Sequence, residues 1–316
     1  MIVDPKVVSL GGGHGLAATL TALRSITSNI TAVVTVADNG GSSGRLREEF
    51  PIMPPGDLRM ALAALCGDDA WGRDWADIMQ YRFTSDGPLN GHALGNLLLA
   101  ALWDRDEDVV VGLDRVGALL KVVGRVLPMT AEPLTIEATF ENSGKFIEAL
   151  GQVAVATTPG RLQELRMNPT HPTTRPEVLA ALREADWVTM GPGSWFSSVL
   201  PHLLVPTLRD AIVASPAKKI LLLNLDSNGD QVGAGEYAGY SPREHCEILN
   251  EYAPDLRFDL VVADSHLAGR GELAEYLQER GTAYLEADLR NESMTIHHDG
   301  GKLASTFSHI AREMLV

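Results

Sequence analysis

Short apolar runs recur along the chain, and most are followed by a stretch in which apolar positions return at helical spacing. "KVVSL" precedes a helical pattern over 16–26, "ITAVVTVAD" a loop and a helix near 57–66, and "DWVTMG" a helix near 206–214. Further on, "KKILLLNLD" leads to "SPREHCEILNEYA", "FDLVVADS" to "GELAEYLQERG", and "TAYLEADL" to the final helix "KLASTFSHIAREML". Strands that are apolar throughout, alternating with amphipathic helices, predict a parallel sheet covered on both faces, a doubly wound α/β architecture. The helix starts are legible: "SPREH" offers Ser241 as N-cap, Pro242 at the first helical position and Glu244 at the third, the capping-box pattern.

Two regions break the alternation. Residues 57–124 read as mostly helical ("GDLRMALAALCG", "GHALGNLLLAALW", "VVVGLDRVGALLKVVG"), which predicts a helical lobe over one end of the sheet. Residues 125–158 carry two β-rich halves around Asn142, Ser143 and Gly144, a hairpin-like excursion. With no internal repeat, low-complexity tract or obvious linker, residues 1–316 read as a single domain with the lobe inside it.

Composition narrows the function. The chain has 316 residues, 45% of them hydrophobic, which suffices for a substantial core. A formal charge of -15 repels nucleic acid and anionic membrane, so any phosphate must be held by local donors against the global field. That favours a small, enclosed ligand. Cys66 and Cys246 show neither metal-ligand spacing nor a disulfide framework and read as core thiols of a reducing compartment. "MIVDPKVVSL" lacks a basic region followed by a long apolar segment, and no apolar run approaches bilayer length; the expectation is a cytoplasmic protein without membrane insertion.

The candidate chemistry lies in the loops that follow strands, where open parallel sheets bind ligands. "GGGHG", Gly11, Gly12, Gly13, His14 and Gly15, offers bare backbone at the start of a helix, a setting for an anion. Gly13, Gly15 and Ala18 also fit the dinucleotide pattern, with Asp38 ending strand 2 as its acid; a turn that only packs helix on strand is the plainer alternative. After strand 2, Asn39, Gly40, Gly41, Ser42, Ser43, Gly44, Arg45 and Arg47 read as a second anion loop, or else as a solvated flexible one. In "MPPGDLRMAL", Asp57 either caps a helix or faces a ligand, and with Asp38 it could hold a hard divalent cation such as Mg2+. "GPLNGHALGNLLLAAL" sets Asn90, Gly91, His92, Gly95 and Asn96 at a helix opening, where His92 is a phosphate donor, an acid, or a surface or cap contact. "GPGS" (Gly191, Pro192, Gly193, Ser194) forms a rigid turn whose amides and hydroxyl could receive another part of the ligand. Trp195 and Phe196 read as core rather than base-stacking residues. The long polar stretch 226–241 has the position of a lid, with no readable role.

Taken in order, "GGGHGL", "VTVADNGGSSGRLR", "PPGDLR", "GHALGNLLLAAL", "VGRVLPMT" and "MGPGSWFSSVLPHLLV" resemble the YvcK family of bacterial proteins, the gluconeogenesis-factor-like branch of the CofD superfamily. The resemblance spans nearly the whole chain. It implies a Rossmann-like fold that binds UDP-N-acetylglucosamine and acts in carbon metabolism on gluconeogenic sources and in cell shape and wall synthesis, with no catalytic reaction established for the branch. It also implies a homodimer, Ser/Thr kinase and wall-synthesis partners, and phosphorylation near Ser305 or Thr306. The sister branch transfers a phospholactyl-type group to a deazaflavin with aspartates on a metal; Asp38 and Asp57 match those positions. Three departures stand out: Asn39 replaces a second acid, His14 a more usual Thr, and "DSNGDQVGAGEYAGYS" a shorter segment, leaving only the general positions of Glu236, Gly239, Tyr240 and Ser241. Three functions remain open: a sugar-nucleotide-binding regulator, a metal-dependent 2-phospho-L-lactate-type transferase, and a nicotinamide-dependent oxidoreductase.

Overall fold

The structure, a computed structural model, describes residues 4–106, 108–225, 240–291 and 294–314. The chain opens with β1 (Val7–Gly11), α1 (Gly13–Leu23), β2 (Ile30–Val34) and α2 (Gly41–Glu49). The helical lobe follows as α3 (Pro55–Ala64), α4 (Ala70–Gln80), α5 (Leu94–Asp106) and α6 (Val109–Leu120), and β3 (Arg125–Pro128) returns to the sheet. Next come β4 (Thr135–Asn142), β5 (Lys145–Leu150), α7 (Gln152–Thr157) and β6 (Arg161–Asn168), then α8 (Pro176–Glu184) and β7 (Trp187–Met190). A π-helical turn (Trp195–Val199), α9 (Pro201–Leu204), α10 (Pro206–Ala214) and β8 (Lys218–Leu222) precede α11 (Pro242–Tyr252) and β9 (Leu260–Asp264). The remainder is α12 (Arg270–Glu279), β10 (Ala283–Ala287), the short pair β11 (Arg290–Asn291) and β12 (Met294–His298), and α13 (Gly300–His309).

Seven strands form one sheet in the order β10-β9-β8-β7-β1-β2-β3, every neighbouring pair parallel. Its central strands are buried along their full length, which is why they read as continuous apolar runs. Two exceptions match across the sheet: Ser9 and Thr189 share register on β1 and β7, and the Thr189 hydroxyl donates to Ser9 Oγ at 2.8 Å, so neither buried hydroxyl is left unpaired. Chain order runs β1-β2-β3 in one direction and β7-β8-β9-β10 in the other. The strand order therefore reverses between β1 and β7, and open α/β sheets bind ligands in the crevice outside the strands' carboxyl ends at such a switch point.

The doubly wound sheet, the helical segments and the capping box of Ser241 and Glu244 are as expected. Cys66 and Cys246 are buried free thiols. Three expectations need correction. β3, placed within the excursion on sequence, is the edge strand of the main sheet beside β2. The excursion is larger than a hairpin: β5-β4-β6 form an antiparallel three-stranded sheet, with Ser143 and Gly144 at positive φ in the β4–β5 turn. The expected second loop is instead helix α2, and Asp38 lies four residues past the end of β2 rather than at its tip. No helix among the described residues is long and apolar enough to cross a membrane.

Candidate functional site

The loop leaving β1 is pressed between its neighbours. A Cβ on Gly12 would lie 2.5 Å from both Asp57 Oδ2 and Thr35 Cγ2, and one on Gly15 would lie 2.2 Å from the Pro192 carbonyl oxygen. Only glycine allows these approaches. Gly15 thus packs the start of α1 onto the turn after β7, while Gly12 carries Asp57 against the backbone. The first intrahelical bond of α1 is Leu16 N–H to Gly12, so the amides before it point out of the helix end.

Two further helices begin at the same place. In the first turn of α3, Gly56 would place a Cβ 2.7 Å from Asp38 Oδ2 and 2.5 Å from Ser43 Oγ, and its N–H donates to Ser43 Oγ at 2.9 Å. Ser43 belongs to the first turn of α2, whose cap, Gly40, donates its N–H to Asp38 Oδ1 at 2.9 Å. The N-termini of α1, α2 and α3, each carrying roughly half a positive charge, therefore converge around Asp38 and Asp57. Asp57 is not an N-cap: Pro54 holds that position, and the Asp57 carboxylate turns toward the backbone of Gly12 and Gly13, where the Gly13 amide favours its ionised form. Burial, reinforced by the charge of Asp38, pushes the Asp57 carboxyl up to about 7.

A buried polar chain supports this floor. Ser42 Oγ pairs with His92 Nδ1 at 3.0 Å and accepts from Asn96 Nδ2 at 3.0 Å, while Asn96 Oδ1 accepts from Arg59 Nε at 2.8 Å. His92 and Asn96 are thus joists between α2, α3 and α5 rather than groups held open to solvent; burial lowers the His92 pKa from its ordinary value. Arg45 donates to the carbonyls of Pro88 and Asn90, the segment that also carries Gly91, and Arg47 to the carbonyl of Asp38. Both arginines tie α2 into the fold. Gly41 opens α2 at positive φ, with open space where a Cβ would be.

Asn39 points elsewhere. Its Oδ1 accepts from Val153 N–H at 3.2 Å, so it serves the first turn of α7, whose own cap Gly151 has no side chain to do so. In the turn after β7, Asn224 clamps Gly193: it accepts from the N–H and donates to the carbonyl, both at 2.8 Å. Gly191 holds positive φ there, and Ser194 caps the π-helical turn by accepting from Ser197 N–H. Trp195 and Phe196 are buried core side chains, as expected. Tyr240 is buried, its hydroxyl accepting from Leu162 N–H. Near the C-terminus, Thr306 is buried with its hydroxyl on the Lys302 carbonyl, whereas Ser305 is exposed. Glu236, Gly239 and most of the 226–241 stretch lie outside the described residues.

Sequence reasoning missed the cationic side of the crevice. His14 lies with its ring 5.9 Å from that of His297, which follows from α1 running beside β12. Burial lowers the His14 pKa, helped by His297 and by the charges of Arg59 and Arg82. The readable signal for Arg59 was a charged residue inside the apolar run "GDLRMALAAL". For His297 no local signal existed, because it arrives from the far end of the chain.

One group of three metal-type ligands occurs among the described residues, Asp264, His266 and Asp288, and cations of the fold already hold it: Arg290 Nε lies 2.8 Å from Asp264 and Lys302 Nζ 2.7 Å from Asp288.

The family described as 2-phospho-L-lactate transferase CofD matches residues 7–301. A Mycobacterium tuberculosis protein, provisionally named a gluconeogenesis factor, is 45% identical over 312 residues, covering 96% of this chain and 90% of its own. The Listeria innocua protein named gluconeogenesis factor is 36% identical over 312 residues, covering 95% and 94%. A crystal structure of a Bacillus halodurans member of the UPF0052 family superposes with a TM-score of 0.83 at 30% identity, covering 98% of this chain and all of that one. Fold, motif order and relatives together place this chain in the CofD family, among the gluconeogenesis factors.

Proposed function

We propose that the chain is a cytoplasmic regulatory protein that binds UDP-N-acetylglucosamine in the crevice between β1 and β7 and so links sugar-nucleotide supply to carbon metabolism and to cell shape and wall synthesis. The observation that carries the reading is the convergence of three helix N-termini on one crevice at the switch point of the sheet, a setting that suits a diphosphate. The choice of sugar nucleotide is carried by the family resemblance.

The donor set also fits a hard cation of the kind that keeps its own water and shares a substrate phosphate: Asp38 and Asp57 would hold Mg2+, with the remaining positions left to phosphate oxygens and water. Such an ion would offset both the burial and the repulsion from Asp38 that raise the Asp57 pKa. The nicotinamide reading gains nothing here, since Asp38 is engaged by Gly40 and abuts Gly56 instead of standing free at the tip of β2 for a ribose.

Calorimetric titration with UDP-N-acetylglucosamine, GDP and NAD, each with and without Mg2+, tests the proposal. Saturable binding of UDP-N-acetylglucosamine alone is expected. Binding only of GDP, with metal-dependent turnover of a deazaflavin acceptor, would replace this reading by the transferase one.

A further inference from the structure

We infer that Arg59 is the anion anchor of this crevice, its unpartnered Nη1 being the seat for an oxygen of a phosphate group. Arg59 is 3% exposed, and a guanidinium so deeply buried is normally saturated with acceptors. Here Nε is fixed by Asn96 Oδ1 at 2.8 Å, whereas Nη1 is buried with no hydrogen-bond partner. The stem is held as firmly as the head: a Cβ on Gly95 would lie 2.9 Å from Arg59 Cδ, so α5 leaves space for this side chain and no more.

The guanidinium therefore cannot swing to solvent to find an acceptor. An acceptor must come to it. Arg59 stands on α3 two residues past Asp57 and is joined through Asn96 to Ser42 in the first turn of α2, which sets it beside the converging helix ends. The neighbouring carboxylates do not fill the vacancy on Nη1, because Asp57 faces Gly13 and Asp38 faces Gly40. A tetrahedral oxyanion suits the gap: it accepts from a fork-shaped donor already oriented by Asn96, while first-turn amides bind its other oxygens. The Arg59–Asn96–Ser42–His92 chain then has a purpose beyond packing, since it holds the anchor at fixed direction between three helices.

This inference rests on the sugar-nucleotide reading only in taking the anion to be a phosphate, and the test separates the two. Inorganic pyrophosphate and UDP-N-acetylglucosamine are titrated into the wild-type chain and into Arg59→Lys, which keeps the charge but loses the fork. The wild type is also labelled with 15N-arginine, so that its protected guanidinium resonances can be followed by NMR. The variant is expected to bind the phosphate ligand about tenfold to hundredfold more weakly, and one protected arginine resonance of the wild type is expected to shift at saturation. Arg59-dependent binding of pyrophosphate without any binding of the sugar nucleotide would keep the anchor and overturn the proposed function. Equal affinity of wild type and variant, or arginine resonances unmoved at saturation, would overturn the anchor and leave the proposed function standing. If Arg59→Lys fails to fold, the wild-type resonances decide alone. A wild type that binds neither ligand contradicts both.

Discussion

Gly15 and Pro192 touch so closely that a single added methyl group would lie 2.2 Å from the Pro192 carbonyl oxygen. This contact locks the loop after β1 to the turn after β7 and sets the width of the crevice between them. Gly15→Ala is expected to destabilise the fold by about 1–3 kcal/mol through overpacking, and to weaken phosphate binding by moving the start of α1. Gly271 is the control, since nothing stands within 4 Å of a Cβ there. Gly271→Ala is expected to leave the melting temperature unchanged or slightly raised. Equal loss in both variants would show that the Gly15 contact has no special weight.

Asp57 makes stability depend on pH in an unusual direction. Its folded pKa, about 7, lies above the ordinary 3.8, so between these values the folded state holds a proton that the unfolded chain has lost. Its contribution is present below about pH 4 and disappears as pH rises through about 7, at no more than about 1.4 kcal/mol per pH unit. Asp57→Asn removes this loss. Denaturant unfolding at pH 5 and pH 8 is expected to show the variant gaining stability relative to wild type at the higher pH, and an unchanged difference would contradict the assignment.

Three histidines oppose it. His202 and His245 are buried, His298 is half-buried, and desolvation holds all three neutral, each with its pKa lowered to about 4. The folded values lie below the ordinary 6.5, so their stabilisation is complete above 6.5 and is lost as pH falls toward 4. Three such groups outweigh one carboxyl. Wild-type stability should therefore fall on acidification from about pH 6.5, and His202→Gln should be less acid-sensitive. His202 Nε2 pairs with the Val33 carbonyl at 3.1 Å, a bond that glutamine can reproduce as a donor. A wild type equally stable at pH 4.5 and 6.5 would contradict the account.

Asn39 stands where the family resemblance leads one to expect a second acid, yet its side chain serves α7. Asn39→Ala is expected to cost about 1 kcal/mol, the usual loss of a helix cap. Asn39→Asp should leave both stability and Mg2+ affinity nearly unchanged, because a carboxylate can accept from the Val153 N–H just as the amide does. A large gain in Mg2+ affinity, measured by calorimetry, would mean that residue 39 turns inward.

The sheet was legible because strands buried on both faces leave continuous apolar runs, and the glycine loops because they follow such runs. β3 was not: "RVLP" is four residues long and ends in proline, at the edge of the sheet. α2 was hidden for a different reason. Its first half, "GSSG", has no helical preference, and it folds because Ser42 and Ser43 are buried against His92, Asn96 and Gly56, contacts made with residues 13 to 54 positions away. The site was legible as a set of loops but not as a set of roles. Nothing local distinguishes Arg45, which binds the carbonyls of Pro88 and Asn90, from Arg59, which keeps a buried nitrogen without a hydrogen-bond partner. That difference is decided by α5, which supplies both Asn96 and the space beside Gly95.

The most direct test is a crystal structure of the chain with UDP-N-acetylglucosamine and Mg2+. The expected result places the diphosphate against the first turn of α1, beside Gly13 and His14, with an oxygen on Arg59 Nη1. A sugar nucleotide bound away from the β1–β7 crevice, or a crevice empty at saturating ligand, would contradict it.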